Sequence, residues 1–163
     1  MKRLSFLCLV LLALLCVGST AWAADSQVPD VAATFTFYDD MDEGGRKPIN
    51  PGTTFKIGNN RTRPDMARVI IAAKLSASLE SKKLSPDVVW VVRNVATGQA
   101  AASSRVSLGR FTETRFDVNI KEPGDYTIVL SLIDRDGEKP EDVPLSGNGI
   151  GKTLGTGKFT ITR

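Results

Sequence analysis

The 163-residue chain contains no histidine. A Ser-His-Asp triad, a Cys-His pair and a histidine-ligated zinc are therefore excluded from the start. Cysteine is almost as scarce. Cys8 and Cys16 are the only two, and both lie near the N-terminus. The rest of the chain has no disulfide available and must be held by its core. Long hydrophobic runs are also missing, with one exception. Phe6–Val17 is continuously apolar, yet it falls short of the roughly 20 residues that cross a bilayer.

That run belongs to a three-part pattern. Lys2-Arg3 precede it, Gly18-Ser19-Thr20 follow it, and Ala21-Trp22-Ala23 places small residues at the third and the first position before the cut. The pattern predicts an export signal cleaved after Ala23. Leu15 before Cys16 does not fit a lipoprotein site, and Lys2-Arg3 is not a twin arginine. Cleavage removes both cysteines and two of the 21 basic residues but none of the 18 acids, so the net charge falls from +3 to about +1. The basicity of the whole chain is then largely a property of its leader, and no nucleic-acid partner follows from it. A mature chain of about 140 residues is long enough to bury its own core. It is expected in the periplasm or outside the cell, with no membrane span left.

Residues 24–30 read as a flexible lead-in, and 31–163 as one domain. Period-two alternation predicts strands at Val31–Tyr38, Thr53–Ile57, Asp87–Val95, Gln99–Leu108, Thr114–Ile120, Tyr126–Ile133 and Lys158–Thr162. Asp39–Arg63 otherwise reads as loop. Met66–Glu80 alternates strictly from Ala67 to Leu79 and predicts a long strand; a helix capped by Asp65 is the alternative. Asp87–Val95 is apolar on both faces and reads as a central strand. Seven to nine short strands with turns between them predict an all-β, antiparallel sandwich.

Trp90 sits within an early central strand, and Pro123-Gly124-Asp125-Tyr126 opens a late one that runs through Thr127-Ile-Val-Leu-Ser-Leu-Ile-Asp-Arg-Asp-Gly137. Over Arg68–Arg163 this resembles the immunoglobulin-like sandwiches of bacterial surface and secreted proteins, including polycystic-kidney-disease-type and fibronectin-type-III-like domains. The resemblance implies a fold with Trp90 and Tyr126 as core residues, without the disulfide of antibody domains. It implies no activity.

Three groups of polar residues are candidate sites. Asp39, Asp40, Asp42 and Glu43 precede Gly44-Gly45; Asp134, Asp136 and Glu138 flank Gly137. Closely spaced carboxylates on tight turns suit calcium, the one cofactor the chain suggests, although neither cluster completes an EF-hand loop. Arg61, Arg63 and Arg68 form a basic cluster beside Asn59-Asn60, able to meet phosphate, carboxylate or an acidic glycan. Asn60-Arg61-Thr62 is also a glycosylation sequon. Gly151-Lys152-Thr153 matches the end of a phosphate-binding loop, but Ser146 stands where the first glycine belongs and a β-patterned segment follows. Nothing assembles a nucleophile, a base and an oxyanion site. The expectation is a non-catalytic binding domain for a protein or cell-envelope polymer. A calcium- or glycan-binding module is the alternative.

Overall fold

A computed structural model describes residues 31–133 and 153–163. Its nine strands are β1 (Ala33–Met41), β2 (Pro48–Pro51), β3 (Thr54–Lys56), β4 (Ala67–Leu75), β5 (Asp87–Asn94), β6 (Ala100–Ser107), β7 (Glu113–Ile120), β8 (Gly124–Leu132) and β9 (Thr153–Thr162). The export signal, the lead-in, Asp134, Asp136, Glu138 and most of the phosphate-loop match lie outside the described residues.

Two sheets form, ordered β2-β1-β4-β7 and β3-β9-β8-β5-β6. The first contains the A-B-E order and the second the G-F-C-C′ order of an immunoglobulin-like sandwich. All pairs are antiparallel except β3 with β9, which run parallel. The chain passes from one sheet to the other between β1 and β3, so its early strands serve both layers.

Alternation explains most of the core. Phe116, Val118 and Ile120 of β7 are buried while Glu113, Arg115 and Asp117 are exposed. Tyr126, Ile128, Leu130 and Leu132 of β8 face them from the other sheet. Trp90 stacks on Phe116 at 4.8 Å between ring centroids, and Phe159 stacks on Tyr126 at 5.6 Å. Phe37 meets Phe159 across the layers at 5.2 Å. Tyr126 is fully buried, and its hydroxyl donates to the Glu122 carbonyl at 2.8 Å. That bond closes the corner between β7 and β8, the tyrosine corner of such sandwiches. Trp90 and Tyr126 are thus core residues. Val89 and Val91 are buried on the opposite face of β5, as expected of a central strand.

Several boundaries differ from the sequence reading. The Met66–Glu80 segment is a strand and not a helix, but it ends at Leu75; Glu80–Lys82 is a 3-10 turn, and Leu79 anchors it in the core. β2 lies inside a stretch read as loop. Its prolines are tolerated because it is an edge strand paired only with β1. β1 runs three residues beyond Tyr38, which places Asp39 and Asp40 on a strand and not in a loop.

β9 begins at Thr153, five residues before the expected start. By sequence its two glycines belong to a polar, Gly-rich loop. They are required by packing instead. A Cβ on Gly155 would lie 2.3 Å from the Ala33 carbonyl oxygen, and one on Gly157 would lie 2.8 Å from the Phe37 ring. β9 crosses β1 too closely for side chains at these points.

Candidate functional site

The fold brings the acidic and basic clusters together. β1 and β4 pair as far as Tyr38↔Ile70; two residues on, Asn59 takes the backbone groups of Arg68, and Asp40 and Arg68 line one cleft. Arg68 pairs in turn with Asn119 of β7. Arg68 and Asn119 are thus cross-strand neighbours on the outer face of the four-stranded sheet. A cleft of about 690 Å³ opens over them and over Asp40. Its walls are the turn after β1, with Asp42 and Glu43, and the 59–63 segment, with Arg61 and Arg63.

Each wall is fixed by side-chain bonds to backbone. Asp42 Oδ1 accepts the N–H groups of Arg46 and Lys47 at 2.6 and 2.9 Å. Arg115 of β7 donates to the Arg46 carbonyl at 2.9 Å, so the turn reaches back across β4. On the other wall, Asn59 imitates a strand partner. Its Nδ2 donates to the Arg68 carbonyl at 2.9 Å, and its Oδ1 accepts the Arg68 N–H at 2.7 Å. Asn60 is buried, with 4% of its surface exposed. Its Oδ1 accepts from the Thr62 N–H, the Thr62 hydroxyl and the Arg63 N–H, while its Nδ2 donates to Asn119. The sequon asparagine is thus a structural clasp in the folded chain.

Charges within the cleft are arranged in opposed pairs. Arg68 grips Asp117 through Nε at 3.0 Å and Nη2 at 2.6 Å. Hydrogen bonding to Asp117 raises the Arg68 pKa above its ordinary value; partial burial opposes the rise, and the charges of Asp117 and Asp40 add to it. Arg61 approaches Asp40 at 3.6 Å, on a side chain that is almost fully exposed. Arg63 and Glu43 stand exposed on the two walls.

The carboxylates do not converge. Asp39 and Asp40 are neighbours on a strand and point to opposite faces. Asp39 Oδ1 is buried without a hydrogen-bond partner among the described residues. Asp42 is committed to its own turn. Among the described residues, no three acids are grouped as a metal ion requires. Among the described residues Thr62 is the one hydroxyl residue on the cleft wall, and Asn60 holds it. The arrangement offers hydrogen bonds and paired charge, and no activated nucleophile.

The sequence reading missed Asp117 and Asn119 as site residues. Alternation placed both on the polar face of β7, but only the strand pairing shows that they stand beside Arg68 in the cleft.

No family model matches this chain, and no curated protein does. Among solved structures it is similar to the CARDB domain of a Pyrococcus furiosus protein, described in complex with di-metal ions. Identity is 15%, over 82% of this chain and 94% of that one, with a TM-score of 0.38. It is also similar to Bifidobacterium dentium β-glucuronidase complexed with coumarin-3-O-glucuronide. There identity is 9%, over 80% of this chain but 18% of the enzyme, with a TM-score of 0.42. These likenesses carry no site across to this chain. The fold rests on the strand order and the tyrosine corner. Among the described residues, no helix is long and apolar enough to cross a membrane.

Proposed function

We propose that the chain is exported by its first 23 residues and acts as a non-catalytic binding domain, with the cleft over Asp40, Arg68 and Asn119 as its contact surface. The observation that supports this reading is the cleft's construction. The asparagine clasps and the Asp42 turn hold its walls, while Arg61, Arg63 and Glu43 remain exposed on them. Walls already ordered before binding reduce the entropy lost on association. Opposite charges around one rim select a partner whose own charges alternate, and they exclude a partner of a single sign. The partner class is a protein segment or a cell-envelope polymer carrying both signs.

Export and binding are tested separately. Protein recovered from outside the cytoplasm should begin at Ala24 by intact mass; recovery with residues 1–23 still attached would overturn the export reading. Immobilised exported protein should capture a partner from envelope extract in a salt-sensitive way. The double variant Arg61→Glu, Arg63→Glu should lose at least about tenfold in affinity for it, or roughly 1.4 kcal/mol. Equal capture by the variant would remove the cleft from the contact surface.

A further inference from the structure

Four described strands lie at sheet edges: β2, β7, β3 and β6. An edge presents unpaired N–H and C=O groups, and proteins usually blunt it with prolines, charge or shortness. Three of the four are blunted in this way. β2 has Pro48 and Pro51 at its ends, and β3 is three residues long. β7 exposes Glu113, Arg115 and Asp117 at alternate positions. β6 is different. Its eight residues, Ala-Ala-Ala-Ser-Ser-Arg-Val-Ser, include no proline and a single charge, Arg105.

One bond fixes which of its backbone groups are open. Leu108 N–H donates to the Pro86 carbonyl at 2.8 Å. By alternation Val106, Ser104 and Ala102 bond towards β5, so Ser107, Arg105 and Ser103 turn their N–H and C=O groups away from β5, where no described strand pairs with them; the Arg105 carbonyl accepts only the Ser104 hydroxyl, at 3.4 Å, among the described residues. Ladder register is continuous here, and the bulge lies beyond this stretch, at Val92/Arg93. The edge is also flanked by exposed apolar residues. Val95, in the turn before β6, is 53% exposed, and Phe111, in the connection after it, is 58% exposed.

We propose that β6 pairs antiparallel with β6 of a second copy of this chain, centred on Ser104, so that the two five-stranded sheets become continuous across a twofold axis. Self-pairing accounts for the side chains as well as the backbone. A twofold seam brings the start of one β6 beside the end of the other, and so carries each copy's exposed Val95 to the end where the other exposes Phe111. Arg105 selects the register. Centring on Arg105 would oppose two like charges, which is unfavourable. Centring on Ser104 sets Arg105 opposite Ser103, two residues whose backbone groups both point outward. Arg105 is also held by Asp87 of its own sheet, which lowers its repulsion across the seam.

The test uses the exported protein. At roughly 100 µM, light scattering after gel filtration should give the mass of a dimer. Ser104 would face its own copy in a non-hydrogen-bonded pair, with Cα atoms about 4.5 Å apart, which a disulfide can span. Ser104→Cys should therefore yield a covalent dimer under oxidation, with the linked peptide joined through position 104. Ser103→Pro removes only an outward N–H and should weaken the dimer at least about tenfold. Val95→Lys with Phe111→Lys alters exposed positions alone. It should also weaken the dimer while leaving the thermal midpoint of the monomer unchanged. A monomer at that concentration, or a dimer that neither crosslinks through 104 nor responds to the lysine pair, overturns the proposal. The Arg61 and Arg63 variants should dimerise normally, so failure here is distinguishable from failure of the cleft reading.

Discussion

Gly155→Ala is a single added methyl group where β9 passes close against β1. Its Cβ would lie 2.3 Å from the Ala33 carbonyl oxygen and 3.0 Å from both the carbonyl carbon and Cβ of Ala33. Carbon and oxygen ordinarily stay about 3.3 Å apart, so the overlap with the oxygen is about 1 Å. The obstructing atoms are largely backbone and have no alternative rotamer. Ala33 is itself laddered to Leu75, and Gly155 to Leu130. Relief requires β1 and β9 to move apart, which separates Phe37 from Phe159. Overpacking of this kind costs about 1–3 kcal/mol. Replacing glycine lowers the entropy of the unfolded chain and returns about 0.4–1 kcal/mol. Packing wins, and the expected net loss is about 1–2 kcal/mol, a fall of several degrees in melting temperature for a domain this size. Urea denaturation should show a lower midpoint at unchanged slope. Gly52→Ala is the control, because nothing lies within 4 Å of its Cβ; it should be neutral or slightly stabilising. If Gly155→Ala unfolds at the same urea concentration as Gly52→Ala, the two sheets do not meet at β1 and β9 as described.

Three further outcomes follow from single side chains. Tyr126→Phe keeps the buried ring but removes the donor to Glu122, and should lower stability by about 0.5–1.5 kcal/mol in chemical denaturation. Asn60→Ala leaves the Thr62 and Arg63 N–H groups without their acceptor. It should cost about 1–3 kcal/mol and also weaken partner capture, since Arg61 and Arg63 ride on that segment. Arg68→Ala removes a half-exposed ion pair and should cost no more than about 1 kcal/mol. Because the Arg68 pKa is raised on folding, its contribution is full below the unfolded value and is lost only as pH rises through the folded one, above the ordinary guanidinium range. Urea midpoints of Arg68→Ala and the parent should therefore differ by the same amount at about pH 5 and about pH 9. A difference confined to one end of that range would contradict the assignment of Asp117 as its main partner.

The sandwich was legible where one strand's own pattern determines its faces. Thr114–Ile120 alternates cleanly and becomes β7, and the alternation of Ala67–Leu75 outweighed the helix-forming residues within it. Glycine was misread at β9 because its role there concerns another strand. Nothing near Gly155 in sequence announces the Ala33 carbonyl. Asp39 and Asp40 read as loop because they open a run rich in acids, glycine and proline, yet pairing with β2 draws them into the ladder. The cleft was half legible. Its acids and arginines were each picked out, but as separate sites with opposite preferences. Their union depends on β1, β4 and β7 lying side by side, and a one-dimensional pattern does not contain that adjacency.

The near-collision of β9 with β1 also has a mechanical meaning. Gly155 lies against Ala33 and Gly157 against Phe35 and Phe37, so the first and last strands run in the same direction. Residues 33 and 162 therefore sit at opposite poles of the sandwich. Tension between them would act along the strands and not across them. The β1–β4 and β8–β9 ladders would be loaded in shear, with many hydrogen bonds sharing the force at once instead of parting one by one. A domain of this build resists extension between residues 33 and 162.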